Sequence, residues 1–341
     1  MIGFEGVSKI YRGGRVALDD VSLTLPPGGS LGLVGESGSG KTTCVRLALG
    51  LERPTSGRMT FGGAAYPQGR RRMRPLRRQI GFVLQDPYDS LDPRMTVRDI
   101  VSEPLRIHGL PGGPGAPGGR HGADQLVAAQ LAAVGLPGAD LRSYPARYSG
   151  GGRQRIAIAR ALIGAPAVLI CDEPTSSLDV SVQSQIVNLL LNARRERDLS
   201  MVFVSHDLDL IGRVVQTVAV MYRGCVVEIG PADQVRRSPR HPYTRALHDA
   251  VPADHPSRRK LAAGHPAGPA PEAADPAAPV AGIAAGAAGA GAVAGRQGCV
   301  FAHRCPRATA QCREERPPLT HEGPLRSYAC FDPIPETDFA R

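Results

Sequence analysis

Two stretches of the 341-residue chain hold residues whose types and spacing suit phosphate chemistry. The first, GESGSGKTT (35–43), fits G-x-x-x-x-G-K-[ST] through Gly35, Gly40, Lys41 and Thr42. Glycines let a backbone wrap phosphate oxygens with inward N–H groups, and a following helix adds its positive N-terminus. Lys41 suits the β- and γ-phosphates, and the Thr42 hydroxyl suits Mg²⁺. Glu36, Ser37, Gly38, Ser39 and Thr43 complete the cradle. The lysine is informative, because the chain otherwise uses lysine only at positions 9 and 260. A compact, flexible ammonium is wanted at this point.

The second stretch, AVLICDEPTSSLD (167–179), supplies carboxylates. An apolar run carries Asp172 to a strand end, where it can hold Mg²⁺ through water. Glu173 is then placed to take the proton of an attacking water. SMVFVSHD (200–207) ends a further apolar run at His206, within reach of a γ-phosphate. A third stretch is less self-explanatory. YSGGGRQR (148–155) sets Ser149, Gly150, Gly151 and Gly152 directly ahead of the helical IAIARALIG.

These residues need elements to position them. VALDDVSLTL (16–25) and SLGLVG (30–35) read as strands, and KTTCVRLALGL (41–51) opens a helix. AVLICDE (167–173) and SMVFVSH (200–206) are near-continuous apolar runs, as buried parallel strands are. PGGPGAPGGRHG (111–122) is too rich in Pro and Gly to hold a helix and reads as an exposed insertion. From about 254 to 297 the chain is a Pro/Ala/Gly linker. Its uncharged run 279–295 is too weakly apolar to span a membrane. The segment 298–333 holds four of the seven cysteines.

An apolar fraction of 42% supports a real core. The net charge of +10 accompanies a bias toward Ala, Gly, Arg and Pro, and the basic run GRRRMRPLRR (69–78) reads as a solvated face. The N-terminus lacks the apolar stretch of a signal peptide, so a cytosolic chain docked on a membrane is expected.

Together the motifs resemble the nucleotide-binding subunits of ABC transporters over about 1–250, in that family's order. Tyr11 matches the aromatic that stacks on adenine, and GESGSGKTT matches Walker A. Gln85 in FVLQDPY matches the Q-loop glutamine, YSGGGRQR the signature, LICDE Walker B, Asp179 in SSLD the D-loop, and His206 the switch histidine. The resemblance implies an α/β, ABC-type P-loop NTPase fold: a RecA-like core with an antiparallel β subdomain and an α-helical signature subdomain. The nucleotide-binding domain is expected over 1–238, with its helical part about 86–156. A small cysteine-containing extension is expected over 239–341.

The resemblance also implies ATP as substrate and Mg²⁺ held by Thr42, Gln85 and Asp172. Two subunits of this family pair head to tail, so Ser149, Gly150 and Gly151 serve the partner's ATP. Gly152 departs from the family, which usually has Gln there. This predicts a trans site that is weakened but retains Ser149 and Gly151.

The finer resemblance is to the ATPases of dipeptide and oligopeptide importers. It rests on VLQDPYDSLDPRMTVRDIVSEPLRIHGL (83–110), YRGCVVEIGPADQV (222–235) and HPYTRAL (241–247), and is closest to the second, F-type ATPase of these systems. It implies a heterodimer with a D-type ATPase, two membrane permeases, an extracytoplasmic solute-binding protein, and a place on the cytoplasmic face of the membrane. Nickel, glutathione and some sugar importers share the pattern, so the cargo stays open. Alternatives are an exporter, or a soluble ABC ATPase acting on DNA or ribosomes. The soluble class commonly carries two cassettes or a coiled-coil insertion. Here there is one P-loop and a Pro/Gly insertion, and no nucleic-acid partner is expected. A degenerate binding module is opposed by Lys41, Asp172, Glu173 and His206.

Cys299, Cys305, Cys312 and Cys330 lack a C-x-x-C pair, which argues poorly for zinc by motif. The tail is similar to a cysteine-containing extension that carries a [4Fe–4S] cluster in some members. A cluster, zinc, or reduced packing thiols are the readings left open. Cys44, Cys171 and Cys225 read as small core hydrophobes.

Overall fold

Along the chain the order is β1 (Ile2–Ile10), β2 (Val16–Leu25), β3 (Ser30–Val34), α1 (Lys41–Ala48), β4 (Ser56–Phe61), β5 (Ala64–Ala65) and α2 (Arg70–Arg78). Then come β6 (Ile80–Val83), α3 (Pro87–Ser90), α4 (Val97–His108), α5 (Gly119–Ala133), α6 (Gly150–Leu162), β7 (Val168–Asp172) and α7 (Val180–Arg197). β8 (Ser200–Ser205), α8 (Leu208–Val214), β9 (Thr217–Tyr222), β10 (Cys225–Pro231), α9 (Ala232–Arg237) and α10 (Pro242–Asp249) follow. A short helix Ala310–Glu314 and strands β11 (Thr320–Glu322) and β12 (Arg326–Tyr328) close the order. This computed structural model describes residues 1–111, 119–250 and 297–339. The linker read over about 254–297, save residue 297, and residues 112–118 of the Pro/Gly stretch lie outside the described residues.

The chain divides into two units, Met1–Tyr66 with Phe203–Arg341, and Pro67–Val202. In the first, a four-stranded sheet runs β2-β1-β4-β5 and is antiparallel at each pairing. A second sheet of this unit runs β11-β12-β10-β9-β3, followed by β8. β3 lies parallel to β9, with Leu31 opposite Thr217 and Val34 opposite Val220. Every residue of β3 is buried, as its unbroken apolar run requires. β12 pairs antiparallel with β10, so the cysteine-bearing extension continues the sheet that carries the phosphate loop.

In the second unit β6 and β7 pair in parallel, from Ile80 opposite Val168 to Val83 opposite Cys171. The helices pack through Ile100, Val101, Leu105, Val127, Leu131, Ile156, Ile158, Leu162, Ile186 and Leu190, all buried. Their ends follow local chemistry. Thr96 caps α4 by accepting from Asp99 N–H, and Gly109 ends it at φ 64. In α2, Met73 and Leu76 turn inward while Arg71, Arg72, Arg74 and Arg78 stay exposed, as a solvated face does.

One expectation needs correcting. Gly119–Gly122, within the stretch judged unable to hold a helix, begin α5. Buried Val127 and Leu131 stabilise the following turns, and extending an existing helix costs far less than starting one. Among the described residues no helix is long and apolar enough to cross a membrane.

Candidate functional site

In the first unit the loop after β3 is shaped by its own backbone. Gly40 caps α1 with φ 109, a left-handed conformation that a side chain would strain. A Cβ there would also lie 2.7 Å from the Ala17 carbonyl oxygen, and a Cβ on Gly35 would lie 2.2 Å from that of Met221. The β9–β10 turn holds the loop too: Gly224 N–H donates to the Ser39 carbonyl at 2.8 Å. Lys41 is buried, and its ammonium donates to the carbonyls of Gly35 (2.6 Å) and Glu36 (3.0 Å). Glu36, Ser37, Gly38 and Thr42 are exposed, and Ser39 and Thr43 are buried. This leaves the α1 N-terminus open to an anion and the Thr42 hydroxyl open to a cation such as Mg²⁺. The Tyr11 hydroxyl donates to Glu52 at 2.9 Å and lies 3.5 Å from the Thr43 hydroxyl. Lys9 and Arg15 each sit 5.2 Å from the Tyr11 ring centroid. His206 is exposed, just past the end of β8.

In the second unit the parallel register does the positioning. Val83 faces Cys171, so two residues further on Gln85 comes opposite Glu173. The Gln85 amide donates to the Glu173 carboxylate at 3.3 Å. Glu173 has φ 45, a left-handed conformation uncommon for a glutamate and the kind of strain that clusters at working sites. Two glutamines brace the loop that follows. Buried Gln154 donates to the Pro174 carbonyl at 2.8 Å, and Gln183 donates to the carbonyls of Thr175 and Leu178.

The signature stretch begins α6. Ser149 caps it by accepting from Gly152 N–H at 3.2 Å, which leaves the hydroxyl proton available to an outside acceptor. A Cβ on Gly151 would come 2.6 Å from Val182, and one on Gly152 would come 3.1 Å from Tyr148. Gly151 is therefore required by packing on α7. Asp179 caps α7, accepting from Val182 N–H at 3.0 Å and the Ser181 hydroxyl at 2.7 Å; these bonds hold its carboxyl below the usual range.

The extension brings its four cysteines together. Cys299, Cys305, Cys312 and Cys330 line one cavity, with His241 and Phe301 beside them. Burial, reinforced by the neighbouring thiols, pushes Cys330 up to about 12. His241 is buried; its Nδ1 accepts from Tyr243 N–H at 3.0 Å, so in the neutral ring Nε2 carries the proton, and Nε2 has no partner. Among the described residues no three His, Cys, Asp or Glu side chains are grouped closely enough to hold a metal ion. Cys44, Cys171 and Cys225 are buried, as expected of small core residues.

Sequence reading missed Gln154, Gln183, Tyr243, Arg304 and Gly224 as shapers of these loops. Tyr243, Gly224 and Gln154 lay within the motifs HPYTRAL, YRGCVVEIGPADQV and YSGGGRQR.

The ABC transporter family matches residues 18–176, and the oligopeptide/dipeptide transporter C-terminal region matches 227–312. A Brucella abortus (strain 2308) protein named for peptide import and ATP binding is 41% identical over 324 residues, covering 94% of this chain and 88% of its own. The glutathione import ATP-binding protein GsiA of Salmonella paratyphi A is 47% identical over 245 residues, covering 72% of this chain and 38% of its own. Among solved structures, the dimeric ATP-binding cassette MJ0796, in a post-hydrolysis state with ADP and Pi, aligns with a TM-score of 0.60 at 28% identity. That alignment covers 68% of this chain and 99% of MJ0796.

Proposed function

Because this chain belongs to the ATP-binding proteins of ABC transporters, we propose that it powers import of di- or oligopeptides or a related small solute. The observation that carries the cargo class is the match of residues 227–312 to the oligopeptide/dipeptide transporter C-terminal region. The glutathione importer among the relatives supports a small peptide-like cargo.

In this reading Lys41 and the loop amides hold the ATP phosphates, and Tyr11 takes the adenine. Mg²⁺, held by Thr42, Asp172 and Gln85, neutralises phosphate charge when bound. Glu173 takes the proton of the attacking water, with Gln85 in hydrogen-bond contact to orient its carboxylate. His206 contacts the γ-phosphate. Ser149, Gly150 and Gly151 serve the ATP of a second ATPase, of the D type, paired head to tail, and Asp179 belongs to the same interface. The chain sits peripherally on the cytoplasmic face against two permeases, with a solute-binding protein on the far side. Affinity purification from gently solubilised native membranes tests this. Recovery of a second ATPase and two multi-span permeases is the expected result. Ribosomal or DNA-bound partners with no permease would overturn the transport claim.

A second reading concerns the extension. Four thiols around one cavity, and the orphan Nε2–H of His241 among them, suit a [4Fe–4S] cluster, whose sulfurs accept hydrogen bonds. Cys299, Cys305, Cys312 and Cys330 would hold it, and its role is structural or redox. Iron and acid-labile sulfide assays on anaerobically purified protein test this; finding neither overturns it.

A further inference from the structure

Glu36 is the first variable residue of the phosphate loop, and each of its polar groups is held. Its carbonyl accepts from Lys41 at 3.0 Å. Its N–H donates to the Tyr243 hydroxyl at 2.8 Å, across 207 residues of sequence. Its carboxylate takes both guanidinium nitrogens of Arg304, at 2.9 and 3.1 Å, across 268 residues. Two of these holds therefore come from the C-terminal part of the same unit.

Tyr243 is well anchored for this task. It is 1% exposed, and its ring centroid lies 4.5 Å from that of Tyr222 and 5.4 Å from that of Phe301. Phe301 is itself buried and 5.3 Å from Tyr222, so β9, α10 and the cysteine segment meet in one aromatic cluster. Arg304 extends from that segment, its N–H donating to the Phe301 carbonyl at 2.9 Å. The Arg304–Glu36 pair is about half exposed, so its direct contribution to stability is small. Its value lies in charge. An unpaired carboxylate in a loop built to receive a triphosphate repels the ligand, and a bidentate guanidinium both neutralises and orients it.

We propose that Tyr243 and Arg304 are positioning residues for the phosphate loop: the C-terminal segment holds Glu36 so that Lys41 and the loop amides stand ready for ATP. The brace adjoins the cysteine cavity through Phe301, but Tyr243 and Arg304 are not among the residues that line it. The role of the brace rests on the loop binding ATP.

The test uses the full chain, measuring affinity for a fluorescent ATP analogue, and the assembled complex, measuring kcat and KM. Tyr243→Phe removes the acceptor and keeps the ring; it should weaken nucleotide affinity about 3- to 10-fold and raise KM with kcat preserved. Arg304→Ala should weaken affinity about 2- to 5-fold, most strongly at low ionic strength, and Arg304→Lys should recover part of the loss. Adding Arg304→Ala to Glu36→Gln should change affinity little further, because no carboxylate remains to be neutralised. Wild-type affinity in both Tyr243→Phe and Arg304→Ala would overturn the proposal. So would a fall in kcat at unchanged KM, or full additivity of the Glu36 and Arg304 changes. A wild-type chain that binds no nucleotide would sink the ATP reading itself.

Discussion

In the phosphate loop, Gly40 adopts φ 109, and added Cβ atoms on Gly35 and Gly40 would run into main-chain oxygens of this same chain. In the signature stretch, Gly150, Gly151 and Gly152 lie in ordinary right-handed helix. A Cβ on Gly150 would meet nothing nearer than Leu178 at 3.4 Å, an ordinary contact. The first set of glycines is explained within the chain. For Gly150 no contact among the described residues accounts for the residue. The phosphate loop is also held at both ends, by Gly224 on Ser39 and by Tyr243 on Glu36, while Ser149 is exposed at the start of α6. Contacts within this protein account for the glycines of the phosphate loop and, of the signature glycines, for Gly151 but not Gly150.

The comparison can be broken or sharpened by substitution. The largest effect is expected at the chemical step: Glu173→Gln should lower the ATPase rate of the complex by about 10²- to 10⁴-fold while ATP still binds, read by phosphate release and nucleotide retention. Gly40→Ala should come next. Left-handed strain of about 1–3 kcal/mol, plus the contact with Ala17, should cut nucleotide affinity of the full chain on the order of 10- to 100-fold. Gly150→Ala should do the opposite to the fold. It should stabilise α6 by up to about 0.5–1 kcal/mol in urea unfolding and leave nucleotide binding by this chain intact, yet slow the complex. A loss of stability there, or an unchanged ATPase rate, would erase the distinction between the two sets of glycines. Smallest is Gly152→Gln. Tyr148 must yield by a few tenths of an ångström, so the cost in stability should stay below about 1 kcal/mol, and the ATPase rate of the complex should rise severalfold.

Much of this was legible in the sequence because it is local. The apolar runs of β3, β7 and β8 and the glycines ahead of Lys41 each act within a few residues. The opposition of Gln85 and Glu173 was not read, because it depends on the parallel pairing of β6, which was not identified as a strand, with β7. The braces were not legible. Gln154 on Pro174, Tyr243 on Glu36 and Arg304 on Glu36 join residues 20, 207 and 268 positions apart, and no periodicity encodes such pairs. The start of α5 was misread because glycine counts against a helix locally, while Val127 and Leu131 stabilise it through packing.

Glu228 of β10 is fully buried, and it accepts from the amides of Arg240 and His241 and from the Arg326 side chain. Removing the chain beyond α10 would strip both the Arg326 side chain and the pairing strand β12 from this carboxylate and expose the edge of β10. The tail is therefore not an appendage that proteolysis could trim without consequence. In deuterium exchange the amide protons of Arg240 and His241 should be released only with the strands around them, so that the entry to α10 and the sheet beneath the phosphate loop melt as a single cooperative body.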